Sequence, residues 1–111
     1  MKKVLLILVM IIVLCGCNNK EKSVYDIMKE NEHIIVDVRT EEEYEELHIK
    51  DAINIPYDEI NKDIDLDKDK ILFVYCKSGR RSEIAFQTLT KLGYKVYDLG
   101  GISEIDLPKE K

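Results

Sequence analysis

The chain has 111 residues, enough for one small domain. Its 22 acidic residues against 17 lysines and arginines give a formal charge of −5, which argues against general binding to nucleic acid or to an anionic membrane surface. Any anion the protein handles must therefore be drawn by a local cluster of cations, and residues 77–81 hold one.

The N-terminus is a different material from the rest. MKKVLLILVMIIVLCGC opens on Lys2 and Lys3 and then runs apolar from Val4 to Leu14. That is the charged and apolar pattern of an export signal, shorter than the roughly 20 residues a bilayer span needs. Leu14-Cys15-Gly16-Cys17 resembles a bacterial lipobox, with Cys15 where Ala or Ser is usual. The resemblance implies cleavage after Gly16, a diacylglycerol on the Cys17 sulfur and acylation of its amine. Residues 1–16 would then be a signal peptide, and residues 17–23 a lipidated N-terminus and tether. The protein would sit in the bacterial cell envelope outside the cytoplasm, anchored to the membrane, since two or more acyl chains hold where one is marginal. An uncleaved anchor and a simple secretory signal are the alternatives. Loss of Lys2 and Lys3 makes the charge more negative by two. It also leaves Cys76 as the sole thiol once Cys15 is removed and Cys17 is lipidated, so no internal disulfide can form. An unpaired thiol in a compartment that favours oxidation invites the question of its use.

Further along, Ser23 is an N-cap for a helix carrying Val24, Ile27 and Met28 at helical spacing. HIIVDV reads as a buried strand over about 33–38. Thr40 with Glu43 three residues on is a capping box, its glutamate run predicting a solvated helix face with Tyr44 and Leu47 on the apolar side. AINIP gives a short strand and YDEINKD a turn of helix. The stretch DIDLDKDK reads as a solvated loop, lacking the Gly turn and closing Glu of a calcium loop, so no metal site is expected. ILFVYC, residues 71–76, is the continuous apolar run of a strand buried on both faces. A helix starting near Arg81 or Ser82 follows, with Ile84, Ala85, Leu89 and Leu92 along its inner face and Gly93 at its stop. KVYDLGG is the last strand. Alternating strands and helices predict an α/β sandwich around a small central parallel sheet, its ligand site beyond the strands' carboxyl ends.

Cys76 falls at such an end. The residues between it and the next helix must curl around the sulfur, their N–H groups forming an anion-binding nest to which the helix N-terminus adds positive potential. Lys77, Arg80 and Arg81 add full charges. All of these favour thiolate over thiol, which predicts a low-pKa nucleophile instead of the small buried hydrophobe that a free cysteine often is.

DVRTEEEYEELHIKDAINIP, VYCKSGRRS and LGYKVYDLGGI resemble, in order and spacing, the segments of a single-domain rhodanese, a sulfurtransferase. The likeness covers roughly residues 24–105, within a domain taken as 24–111. The active-loop pattern Cys-x-x-Gly-x-Arg followed by Ser or Thr is met by Cys76, Gly79, Arg81 and Ser82. The resemblance implies a rhodanese-like three-layer sandwich with helices on both faces of the sheet. It also implies that Cys76 attacks the outer sulfur of a small anionic donor such as thiosulfate, holds it as a persulfide, and yields it to cyanide or a thiol. No organic cofactor or metal is called for, and a monomer is the default. Substrate contacts would come from Lys77, Ser78, Gly79, Arg80, Arg81 and Ser82, with Arg81 orienting the donor's sulfonate, Lys77 assisting, and Arg80 equally readable as a solvated charge. Asp37 and Arg39 match an Asp-x-Arg element and read as structural, as does His48. Two places depart from the family pattern: Leu47 and Asp51 stand where Gly is common, and the usual C-terminal Trp is absent, with Ile105 about there. The last helix should be short.

Rival readings remain. Phosphatases and arsenate reductases of the Cys-x5-Arg type also use a thiolate in a cationic loop, but here the arginine comes fifth after Cys76. A binding module, and a persulfide carrier serving a membrane partner, are the others.

Overall fold

A computed structural model describes residues 22–111. The lipobox expectation, including Cys17, and most of the tether lie outside the described residues. Helix α1 is Val24–Glu30, followed by strand β1 (His33–Asp37), helix α2 (Glu41–Glu46) and the short strands β2 (His48–Ile49) and β3 (Ile53–Asn54). A 3-10 turn at Tyr57–Glu59 precedes β4 (Ile71–Cys76), α3 (Arg80–Lys91) and β5 (Val96–Gly101). A second 3-10 turn at Ile102–Glu104 and strand β6 (Lys109–Glu110) complete the chain.

The expected N-cap at Ser23 and capping box at Thr40 both form, and Ser23 proves to be a capping box as well. The Ser23 hydroxyl accepts from the N–H of Asp26 while Asp26 answers to the N–H of Ser23, and Thr40 and Glu43 repeat the arrangement at α2. The main sheet is four-stranded and parallel, ordered β3-β1-β4-β5. Its centre is β4, buried at all six residues and paired on both edges.

Side chains alternate across that strand, and each set meets its own layer. Leu72, Val74 and Cys76 pack with Val36, Val38 and with Ala85 and Leu89 of α3. Ile71, Phe73 and Tyr75 pack with Ile35, Ile49, Ile105 and Met28 of α1. The result is the three-layer α/β sandwich expected from the sequence. Every buried side-chain nitrogen and oxygen among the described residues has a hydrogen-bond partner.

Four expectations need correction. Leu47, expected on the apolar side of α2, is its C-cap and stands exposed, because the helix ends at Glu46. Helix α3 begins at Arg80, a residue or two early, because Gly79 turns the chain into it from the left-handed region at φ 98°. Ile84 is 44% exposed instead of facing the core. The inner face of α3 is Ser82, Ala85 and Leu89, spaced i, i+3 and i+7, and Ile84 falls outside that arc. Finally, the expected short last helix is a single 3-10 turn, after which the chain returns as β6 to pair antiparallel with β2.

Candidate active site

Strand β4 delivers Cys76 to the carboxyl edge of the sheet with no exposed surface, and the chain then turns through Lys77, Ser78 and Gly79 into α3. A side chain at Gly79 would sit in backbone geometry that L-residues resist. The Gly79 N–H donates to Cys76 Sγ at 2.9 Å, and the Ser82 hydroxyl lies 3.5 Å from the sulfur. That hydroxyl gives its one hydrogen to the carbonyl of Gly79 at 3.0 Å and turns a lone pair to the thiol, which ties the loop to the first turn of α3.

These contacts decide the acidity of the thiol. Burial pushes its pKa up, but the Ser82 hydroxyl and the backbone N–H groups of Ser82, Gly79 and Ser78 outweigh burial and hold it below the ordinary thiol value. Of the nest expected from the sequence, the Gly79 N–H is bonded to the sulfur, and Lys77 and Arg80 are exposed.

Arg81, the second residue of α3, has its terminal nitrogens engaged by Glu43. Nη1 reaches Glu43 Oε1 at 2.7 Å and Nη2 reaches Oε2 at 3.1 Å, a two-pronged pair joining the first turns of α3 and α2. The guanidinium, bonded to Glu43 and close to the Cys76 sulfur, has its pKa raised. The bonds from Arg81 outweigh burial and, with those from Thr40, bring the Glu43 carboxyl down to about 2. Glu43, which the sequence placed on a solvated face, is thus a neighbour of the active loop. Its spacing as the capping-box acid was the only signal available, and that signal points to Thr40 alone.

Asp37 and Arg39 sit one layer beneath. The Arg39 side chain donates to both Asp37 oxygens, with Nη2 to Oδ2 at 2.7 Å, and to the carbonyl of Leu47 at 2.6 Å. The Tyr75 hydroxyl donates to Asp37 Oδ2 at 2.9 Å and accepts from the Ile49 N–H at 3.0 Å. Burial first, and then the neighbouring Asp37 charge, raise the Tyr75 pKa, so this hydroxyl stays a donor. The network links β1, β4 and β2, which fits the structural reading of the pair. His48 is buried, its ring stacked on Tyr44 at 3.8 Å between centroids and its Nδ1 2.8 Å from the Tyr44 carbonyl. It touches no part of the Cys76 loop among these contacts.

On the other flank, the β4–β5 register pairs Val74 with Asp98 and then Tyr75 with Gly100, skipping Leu99. This bulge, with Gly100 at φ 85°, sets Gly101 opposite Cys76. The thiol loop is thus flanked by the end of β5.

Known proteins share this arrangement of sequence and fold. The pattern of the rhodanese-like domain matches residues 11–106. The chain is 40% identical over 80 residues to thiosulfate sulfurtransferase PspE of Escherichia coli (strain K12), covering 68% of this chain and 77% of that protein. Against thiosulfate sulfurtransferase GlpE of Coxiella burnetii (strain RSA 331 / Henzerling II) it is 34% identical over 79 residues, covering 69% and 74% respectively. Among solved structures, a rhodanese with anions from E. coli superposes with a TM-score of 0.65 at 38% identity, over 71% of this chain and 98% of that one. A rhodanese-related protein from Thermoplasma volcanium gives 0.67 at 34% identity, over 78% and 90%. With the parallel sheet, the thiol at its carboxyl edge and these relatives in agreement, the chain belongs to the rhodanese-like domain family.

Proposed function

We propose that the protein is a sulfurtransferase that carries a sulfane sulfur on Cys76. The observation that supports this most is the Gly79 N–H donated to the Cys76 sulfur at 2.9 Å, in a loop of inward-turned amides on a buried strand end. Such donors favour the thiolate, so no separate base is needed to generate the nucleophile. The Cys76 thiolate attacks the outer sulfur of thiosulfate, the S–S bond of the donor breaks, and sulfite leaves with its electron pair. Cysteine persulfide remains, its terminal sulfur carrying the negative charge. Cyanide or a thiolate then attacks that terminal sulfur, forms thiocyanate or a new persulfide, and restores the Cys76 thiolate. The two thiosulfate sulfurtransferases among the relatives support the choice of donor.

The test is intact mass of a soluble form, residues 18–111, after thiosulfate treatment. A gain of about one sulfur atom, removed by cyanide and absent from Cys76→Ser, is the expected result. No gain on a thiol shown to be free and reduced overturns the reading.

We also propose that the chain is exported and lipid-anchored through Cys17, on the strength of the charged and apolar N-terminus and the Leu14-Cys15-Gly16-Cys17 sequence. Expression of the full chain in a bacterium should yield a membrane-bound form whose N-terminal residue is an acylated Cys17. Cys17→Ala should abolish acylation, and an unmodified Cys17 in the wild-type chain would overturn the proposal.

A further inference from the structure

The cations nearest the reactive sulfur are not electrically equivalent. Lys77 and Arg80 are exposed and have no ion-pair partner among the described residues, whereas Arg81 is held by a carboxylate. Each terminal nitrogen of Arg81 gives one N–H to Glu43, at 2.7 and 3.1 Å. Glu43 is itself fixed from behind, because its Oε1 also accepts from the N–H and the hydroxyl of Thr40 at 3.2 and 3.1 Å. A guanidinium held in this way cannot turn the same two-pronged edge to a second anion. The pair also carries no net charge, so its pull on an approaching anion is far weaker than that of a free arginine.

We propose that Glu43 sets the anion selectivity of the Cys76 loop, neutralising Arg81 so that the net positive charge offered to the negative end of a donor is that of Lys77 and Arg80, beside the backbone amides. Glu43 is then a specificity-determining residue although it touches neither sulfur nor donor. For thiosulfate as donor this rests on the sulfurtransferase reading. For anions as a class it rests only on the Cys76 thiolate and its surroundings.

The glutamate can be discharged without dismantling its helix. Gln at this position keeps the capping box with Thr40 while removing the negative charge. In Glu43→Gln, Arg81 is released toward the mouth of the loop and the local charge rises by one.

Two alkylating probes read the consequence: iodoacetate, an anion, and iodoacetamide, its neutral counterpart, followed by mass on the Cys76-containing peptide of the full chain. The ratio of their rates cancels changes in thiolate content and loop packing. In Glu43→Gln the iodoacetate-to-iodoacetamide ratio should rise roughly three- to tenfold at low salt and fall back as salt is added. In Glu43→Gln/Arg81→Gln it should return to the wild-type value or below. Arg81→Gln alone strips the pair to a bare carboxylate and should lower the ratio several-fold, which keeps the test available if Glu43→Gln does not fold.

With thiosulfate as the substrate, Glu43→Gln should lower KM with kcat changed less, a split that a purely structural glutamate would not produce. An unchanged or lowered ratio in Glu43→Gln, or an unchanged ratio in Arg81→Gln, overturns the proposal. If the wild type acquires no sulfur from thiosulfate, the sulfurtransferase reading fails, and the alkylation ratio still decides the role of Glu43.

Discussion

Gly101 lies directly beneath the carbonyl of Lys77: a methyl group on its Cα would stand 2.6 Å from that oxygen and 3.5 Å from Cα of Ser78. Both neighbours are main chain, so no side chain can swing away to make room. The end of β5 is therefore a floor on which the first two residues of the thiol loop rest. Gly101→Ala should displace the loop, lowering stability by roughly 1–3 kcal/mol and slowing alkylation of Cys76 by iodoacetamide at neutral pH. Wild-type melting and labelling in this variant would show that the loop does not depend on the close approach.

Ser82 offers a test of how the thiolate is held. Its hydroxyl and its N–H both favour the charged sulfur, and Ser82→Ala removes only the first. The midpoint of the Cys76 alkylation rate against pH should therefore move up. The sign of the stability effect follows from the same shift. The folded chain gives up the thiol proton at a lower pH than the unfolded chain, so this contribution to stability is full above the unfolded value of about 8.5 and fades as pH falls through the folded value. The stability gap between wild type and Ser82→Ala should widen as pH rises toward the unfolded thiol value of about 8.5 and level off above it. A constant gap would assign the hydroxyl to its bond with Gly79 alone.

Asp37→Ala leaves the Arg39 guanidinium buried without its carboxylate and takes the acceptor from Tyr75. Removing one partner of a buried pair costs about 3–5 kcal/mol, so the urea midpoint should fall steeply. A loss below about 1 kcal/mol would mean that the bond from Arg39 to Leu47 suffices by itself.

Asp51 is the one non-glycine residue among those described with a positive φ, at 71°. It stands in the β2–β3 connection, where the family commonly has Gly. Asp51→Gly removes a left-handed strain of about 1–2 kcal/mol and adds back some unfolded-state freedom, so the protein should gain up to about 1 kcal/mol. A loss on thermal denaturation would show that the aspartate side chain contributes more than its backbone costs.

The parts of this molecule that could be read from sequence are those written in consecutive residues. Six apolar residues ending on Cys76, a glycine three further on, an N-cap at Ser23 and a capping box at Thr40 specify the central strand, the loop and the helix starts through local rules. The Glu43–Arg81 pair was not legible, because 38 positions separate the partners and a glutamate run looks the same whether or not one member turns inward. The phase of α3 was missed for a related reason. Hydrophobicity favoured Ile84 as a core residue, but the helix is oriented by a polar residue, Ser82, whose hydroxyl must reach the sulfur. Strands β2 and β6 contain two residues each, too short for any alternation to show. Cationic residues in a loop were read as surrounding the thiol, although composition does not say which way their side chains turn.

The position of β4 also bears on how the backbone will exchange its hydrogens with solvent. Paired along both edges and covered on both faces, the amides leading up to Cys76 are released only when the whole domain opens. Just past the sulfur the protection changes character, since Lys77 and Ser78 are exposed and their segment bonds to a side chain and to the start of a helix in place of a sheet. The sulfur stands at that boundary, carried by the fully buried strand and bonded by an amide of the exposed turn, so amide exchange should slow sharply from Ser78 back to Tyr75.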